Sequence, residues 1–154
     1  MSEYRSTGPI YSDRNSGESF PDATSMINRY LARFAEVSQH PAVELDPSGH
    51  AQIRSGSALV GINVLEHQGV LMLFSPIMDV PATGREAFYR RLLDMSFVAT
   101  QDAAFAIDSP REKVVLRALR RLSALDYEEF EDLVLTLGHV ADHWDDRLVS
   151  EFGT

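Results

Sequence analysis

The segment from Asp126 to Leu148 limits the possible folds most strongly, because its pattern is that of one long amphipathic helix. Apolar residues recur there every three or four positions, so they form a single stripe on a helix. Asp126 and Glu129 have the spacing of an N-cap residue and a capping-box acid. A stripe this long needs a surface to cover, so we expect the helix to lie on a sheet with Trp144 in the core. The stripe contains Phe130, Leu133, Val134, Leu137, Ala141, Trp144 and Leu148.

The chain before this segment alternates between helical and extended patterns. Thr24 to Ser38 has an apolar stripe of helical period, and a second helix is expected to begin with a capping box of Thr83 and Glu86. Between the two helices, the last strand is expected to stop at Ser75-Pro76. Residues 114–122 fit either a strand or a helix. Extended patterns occur at residues 43–46, 50–54, 59–66, 70–74 and 103–108.

The length and composition are those of one domain. The chain has 154 residues, of which 44% are hydrophobic, and this is enough for a real core. Residues 1–22 are rich in serine, glycine, proline and charge, and we expect a flexible tail there, followed by a single α+β domain over residues 23–152. There is no cysteine, no apolar run of about 18 residues and no signal-peptide pattern. These features predict a cytoplasmic protein that does not insert into a membrane.

The charge is negative and unevenly distributed. A net charge of −9 opposes binding to nucleic acid. Residues 126–154 hold nine acidic residues and one basic residue, a net charge of −8, whereas residues 111–121 hold five basic residues and one acidic residue. We expect this basic segment to pair with the last helix inside the fold.

A search for catalytic or metal-binding patterns gives one weak candidate. His139 and His143 lie one turn apart on the predicted last helix, where Asp142 or Asp146 could supply a third metal ligand. Both histidines fall on the polar side of that helix, so solvated side chains are the expected state. The chain also lacks a phosphate-binding loop and a nucleophile elbow. We therefore expect no metal, no cofactor and no enzymatic activity.

The apolar face of the second helix is wide for a short helix. At 100° per residue it spans roughly 160°, which is more than one internal contact would cover. The surplus predicts a dimer or a partner contact. The residues of this face are Phe88, Tyr89, Leu92, Leu93 and Met95.

The order of elements resembles that of class I type III secretion chaperones, the Tir-chaperone (CesT-like) family. The resemblance covers about residues 24–152. The matching stretches are Val43 to Ile53 with its Asp46-Pro47-Ser48-Gly49 turn, Val70 to Pro76, Phe88 to Leu93, Ala104 to Asp108, and Leu125-Asp126-Tyr127 before the helix with Trp144. The resemblance implies that residues 114–122 form a strand. The fold class is then α+β, an antiparallel twisted sheet of about five strands with three helices in the order α-βββ-α-ββ-α.

The resemblance also implies a function and its sites. The chain would be a non-catalytic homodimer that binds an extended, N-proximal segment of a secreted effector and keeps it competent for secretion. The dimer interface would contain Phe88, Tyr89, Leu92, Met95 and Phe97. The effector would bind to Ile27, Leu31, Phe34, Val60, Ile62, Met72 and Phe74.

Two alternatives belong to other classes of protein. The first is a YbjN-like regulatory domain, similar in fold, that binds a folded partner. The second is a metal-dependent enzyme that uses His139 and His143.

Overall fold

The structure, a computed structural model, describes residues 11–153 and has two layers, a sheet and a set of helices on one of its faces. In chain order the strands and helices are β1 (Tyr11–Ser12), β2 (Ser19–Phe20), α1 (Ala23–Ser38), β3 (His50–Ser55), β4 (Ala58–Leu65), β5 (Val70–Asp79), α2 (Arg85–Val98), β6 (Ala104–Asp108), β7 (Lys113–Arg121) and α3 (Tyr127–Phe152).

The main sheet has five antiparallel strands in the order β3-β4-β5-β7-β6. The strands β3, β4 and β5 form a meander, and β7 then pairs with the free side of β5, so β6 becomes an edge strand that pairs only with β7. Residues 113–121 are a strand, as the family resemblance implied. The predicted fold class and order of elements are confirmed.

The core lies between the sheet and the two helices α1 and α3. Alternate residues of the central strands face the helices and are fully buried, among them Val60, Ile62, Leu71 and Leu73. Asp126 caps α3 as predicted, because its carboxylate accepts a hydrogen bond from the backbone N–H of Glu129 at 2.8 Å. Trp144 is half-buried and packs against this core and against a second, smaller cluster beneath α2.

Two predicted element boundaries are wrong. The strand β5 does not stop at Ser75-Pro76 but continues to Asp79. Beyond Phe74 it pairs only with β7, and the register shifts between Pro76 and Met78, so the proline lies in an irregular part of the strand. Helix α2 is not capped by Thr83. Its N-cap is Gly84, at φ +67°, and no side chain caps it.

Part of the segment that we predicted as a flexible tail forms secondary structure. Residues 1–10 lie outside the described residues. Strands β1 and β2, however, form a small hairpin that packs on the main core, with Tyr11, Asp13 and Phe20 buried. The two strands have only two residues each, and this is too short to give a recognisable alternation in the sequence.

Candidate functional site

The predicted effector-binding residues are divided between two environments. Five of them are at most 2% exposed and form part of the main core; they are Ile27, Leu31, Phe34, Val60 and Ile62. Met72 and Phe74 lie on the opposite face of the sheet and are half-buried. Alternation along a strand shows which residues share a face, but not which face the helices will cover. A partner could therefore reach Met72 and Phe74 without unfolding the chain, but not the other five.

The uncovered face, which we call the outer sheet face, has an apolar centre. Neighbouring strands place Met72 beside Leu119, and Pro76 beside Val115. Leu119 is 40% exposed, and the other three are half-buried or exposed. Leu59 and Leu65 of β4 alternate with the core residues of that strand and extend the face. The apolar residues of β4, β5 and β7 thus share a face on which none of the described helices packs, with Asn63 and Arg117 among them.

A glycine positions the aromatic ring at the centre of this face. Gly61 and Phe74 are paired across β4 and β5, and a Cβ atom on Gly61 would overlap with the Phe74 ring. The far end of the ring therefore occupies the space that a side chain at position 61 would need. His50 of β3 lies beside it, with the ring centroids 6.2 Å apart.

Basic side chains lie beside the apolar residues of this face, and Arg117 is paired with Phe74 across β5 and β7. Arg117 and Arg121 of β7 alternate with its buried residues and so lie on the outer sheet face, as does Arg54 of β3. Within residues 11–153 these three arginines form no ion pair. The prediction that the basic segment pairs with the last helix holds only at Arg120, which lies on the helix face and contacts Glu129 at 3.1 Å. The alternation of β7 separates Arg120 from the other two.

At one end of the face there is a shallow depression of about 580 Å³. Phe74, Pro76 and Val115 line its apolar side, and Arg111 and Lys113 lie at its rim. Both rim cations have acidic partners, Asp108 at 3.1 Å and Asp79 at 2.7 Å, respectively, and these contacts are largely exposed to solvent. Ion pairs this exposed are weak, so a ligand could replace Asp108 as the partner of Arg111, or Asp79 as the partner of Lys113.

The predicted dimer residues are also divided. Phe88, Leu92 and Met95 are at most 5% exposed because they pack with Val114 and Leu148 in the second cluster. Tyr89 is half-buried beside that cluster. Phe97 is 88% exposed.

The free apolar face of α2 therefore differs from the predicted one. Leu93 and Val98 are 72% and 71% exposed and lie next to Phe97 near the end of the helix. We call Leu93, Phe97 and Val98 the α2 patch. The width of the stripe indicated more apolar surface than one internal contact covers, but its buried and exposed halves could not be told apart from periodicity.

The histidine pair on α3 has no metal-binding surroundings. His139 and His143 are both exposed, and His143 packs edge-on against Trp144 with ring centroids 4.8 Å apart. Between residues 11 and 153, no group of three or more potential ligands is placed to hold a metal ion. No helix in this range is long and apolar enough to cross a membrane.

The shifted pKa values in the chain have structural causes. The backbone N–H and hydroxyl of Ser25 lower the pKa of Asp22, and the backbone N–H of His50 with the Ser48 hydroxyl lowers that of Asp46. Burial is the main reason that the pKa values of Tyr30 and Tyr127 are raised. These carboxylates cap a helix and a turn, so their shifts do not indicate acid–base chemistry.

Comparison with known proteins decides the family. The model of the Tir chaperone protein (CesT) family matches residues 29–145. The chain belongs to this family. The matched range contains α1 from Arg29 onward, the whole five-stranded sheet, α2 and most of α3. A search of curated proteins found no match.

Chains of several solved complexes share the fold of this CesT-family chain. The ExsC–ExsE complex contains a chain with 28% identity and a TM-score of 0.68; the match covers 82% of this chain and 96% of that one. A chain of the HopA1–SchA chaperone–effector complex has 12% identity and a TM-score of 0.61, covering 79% and 97%. A chain of the ExoU–SpcU complex of the Pseudomonas aeruginosa type III secretion system has 19% identity and a TM-score of 0.58, covering 82% and 98%.

Proposed function

We propose that this CesT-family chain is a cytoplasmic, non-catalytic type III secretion chaperone that holds an extended segment of a secreted effector. Family membership supports the class of function, and a chain of similar fold occurs in a complex described as chaperone with effector. The observation that carries the proposal is the outer sheet face, an apolar surface that the chain's own helices leave open.

The effector segment would lie across Met72, Phe74 and Leu119 rather than on the five buried residues named above. The half-buried side chains of this face lose their remaining contact with water when a segment covers them. The arginines at positions 54, 117 and 121 favour acidic residues between the apolar anchors of the bound segment, because charge complementarity selects partners. An apolar segment with interspersed acids is therefore the preferred ligand.

The test is co-expression with the products of neighbouring genes, followed by a substitution on the outer sheet face. Met72→Asp places a charge at the apolar centre, and we expect it to weaken the effector complex at least about tenfold. Leu135→Asp is the matched control, because Leu135 is 48% exposed on α3, away from this face. A complex that survives Met72→Asp unchanged would contradict the proposed site. If only folded regulators are recovered, the YbjN-like alternative gains support.

A second pair of variants tests the charge argument. Arg117→Glu is expected to weaken the same complex and to reduce its dependence on salt. Arg147→Glu makes the same change of charge on α3 and serves as the control. Equal losses for both variants would mean that net charge matters and the position of the arginine does not.

We also propose that the chain forms a homodimer through the α2 patch. The three large apolar side chains of this patch are each more than 70% exposed on one short helix. Exposing so much apolar surface in one place is unfavourable and uncommon in a monomer. Contact between two copies of the patch would bury them symmetrically.

A further inference from the structure

The hairpin of β1 and β2 lies before the residues that match the family model, which begin at residue 29. It contacts the body of the domain through three buried side chains, Tyr11, Asp13 and Phe20. Its other residues, 12 and 14–19, are exposed. The hairpin is thus a short peptide held by a few anchors, added to a fold that the family model describes without it.

The surface beneath the hairpin is aromatic. It is formed by Tyr30 of α1 and Tyr127 at the start of α3, whose rings pack edge-on against each other with centroids 5.9 Å apart. The Tyr30 hydroxyl donates a hydrogen bond to the carbonyl oxygen of Leu125 at 2.9 Å, which fixes the floor. Phe20 lies edge-on to Tyr30, with the ring centroids 6.0 Å apart. We call the surface formed by Tyr30, Leu125 and Tyr127 the α1–α3 groove.

At the end of this groove, a backbone N–H group of α3 binds a carboxylate of the hairpin. The Asp13 carboxylate accepts a hydrogen bond from the backbone N–H of Tyr127 at 3.0 Å. The same carboxylate accepts from the backbone N–H groups of Asn15 and Ser16, at 2.8 and 3.1 Å, so it also folds its own turn. A carboxylate at the N-terminus of a long helix is favoured by the N–H groups exposed there.

The remaining contacts are weak ones at the surface. Asn15 donates to Glu128 at 2.8 Å, and Arg29 contacts Glu18 at 3.5 Å, with all four side chains largely exposed or at the rim. An isolated two-stranded hairpin has little stability of its own in water. The hairpin therefore keeps its shape because the groove holds it, as a receptor holds a peptide ligand.

We propose that the α1–α3 groove is a second peptide-binding site, that residues 11–20 occupy it as a detachable strap, and that an extended partner segment can replace them. The partner segment would carry an aromatic residue, one spacer and an acid, followed by a second aromatic, as Tyr11, Asp13 and Phe20 do. The groove opens on the helix side of the sheet, so it is distinct from the outer sheet face and independent of the function proposed for that face.

The test uses the full chain and a fluorescent peptide of residues 11–22. In the variant Tyr11→Ser/Phe20→Ser the strap loses its two aromatic anchors, and we expect the peptide to bind at least about tenfold more tightly than to the wild-type chain. Leu135→Ser, an apolar-to-serine change at a position of α3 that is 48% exposed, is expected to bind the peptide as the wild type does. Asp13→Ala in the peptide is expected to weaken binding about tenfold.

Several outcomes would overturn the proposal. One is equal binding of the peptide to the strap variant and to the wild type, and another is equal binding of a scrambled peptide. A strap variant that does not fold would show that the hairpin is an integral part of the core. Hydrogen exchange of the wild-type chain gives a check that needs no variant. The amides of Gly17 and Tyr127 are expected to exchange at least about tenfold faster than that of Leu73 in the central strand, and equal rates would refute detachment.

Discussion

At the scale of single residues, close approach explains two glycines that carry no signal in the sequence. Gly61 makes room for the Phe74 ring on the outer sheet face. Gly138 lies in the middle of α3, where glycine ordinarily weakens a helix. There a Cβ atom would overlap with the Ser55 side chain and lie 3.0 Å from the Ser55 carbonyl oxygen. The glycine lets the end of β3 contact the helix directly.

Gly138→Ala is therefore expected to destabilise the protein, although alanine favours a helix. The overlap with Ser55 cannot be relieved by a flexible side chain alone, since the Ser55 backbone is also close. We expect a loss of about 1–3 kcal/mol in the free energy of unfolding, measured by urea denaturation. The same substitution in a Ser55→Gly background removes the side-chain overlap and is expected to cost less. An increase in stability on Gly138→Ala alone would contradict the close contact.

The Asp13 carboxylate gives a prediction about pH. Burial acts to raise its pKa, but hydrogen bonds from the backbone N–H groups of Ser16, Tyr127 and Asn15 hold the pKa below its ordinary value. A lowered pKa in the folded state means that the stabilisation is complete above the unfolded pKa of about 3.9 and is lost as the pH falls through the folded value.

Asp13→Asn tests this by thermal unfolding between pH 3 and pH 7. We expect the variant to be less stable than the wild type by about 1–3 kcal/mol above pH 5, with the difference shrinking below about pH 4. Asp132→Asn, an exposed change on α3, is expected to leave stability nearly unchanged over the same range. A stability difference for Asp13→Asn that does not depend on pH would show that the charge of Asp13 is not involved.

At the scale of secondary-structure elements, α2 packs inside the fold with one side and exposes apolar residues on the other. Phe88, Leu92 and Met95 face the second cluster, whereas Leu93 and Phe97 point away from it. Phe97→Ser is expected to remove the most exposed member of the α2 patch without disturbing the fold, and so to shift the chain towards monomer by about 1–3 kcal/mol of dimer free energy.

Analytical ultracentrifugation over a range of concentrations measures this shift. Val37→Ser is the control, because Val37 is 61% exposed on α1, on a different surface. A wild-type chain that is monomeric at micromolar concentration would refute the dimer. A dimer that Phe97→Ser and Val37→Ser affect equally would place the interface elsewhere.

Some of these elements could be predicted from the sequence, and others could not. The long stripe of α3 and its Asp126 cap were predictable, because 26 residues of consistent period leave little ambiguity. The strand at 113–121 needed the family resemblance, since its arginines and valines fit two periods. The two-residue strands of the hairpin and the face of the sheet covered by helices were not predictable, because both depend on contacts between segments distant in the chain. The outer sheet face, and with it the candidate site, could be found only after the covered face was known.

At the scale of the whole molecule, the end of α3 holds the second cluster together. Leu148 is 1% exposed and packs with Phe88 and Met95, and Phe152 meets the Phe88 ring with centroids 5.0 Å apart. Arg91 of α2 also contacts Glu151 at 3.2 Å. The last turns of the chain therefore determine how α2, and its exposed patch, lie on the sheet.

Leu148→Ala is expected to cost about 2–5 kcal/mol in stability and to weaken the dimer as well, because the cavity lies directly under α2. Leu135→Ala makes the same change at a site of α3 that is 48% exposed, and is expected to have little effect on either property. Denaturation and sedimentation of the two variants measure both effects. Loss of stability without any change in dimerisation would show that packing in the second cluster does not affect the α2 patch.

The strand order has a consequence for biosynthesis. Strand β6 pairs only with β7, which is made later, whereas β3, β4 and β5 can pair with one another as soon as they have left the ribosome. Helix α2 in turn lacks Leu148 and Phe152 until the end of α3 has been made. A nascent chain therefore assembles its meander before it fixes its α2 patch, so a translation product that stops before Leu148 cannot present that patch in its final setting to a copy that contains α3.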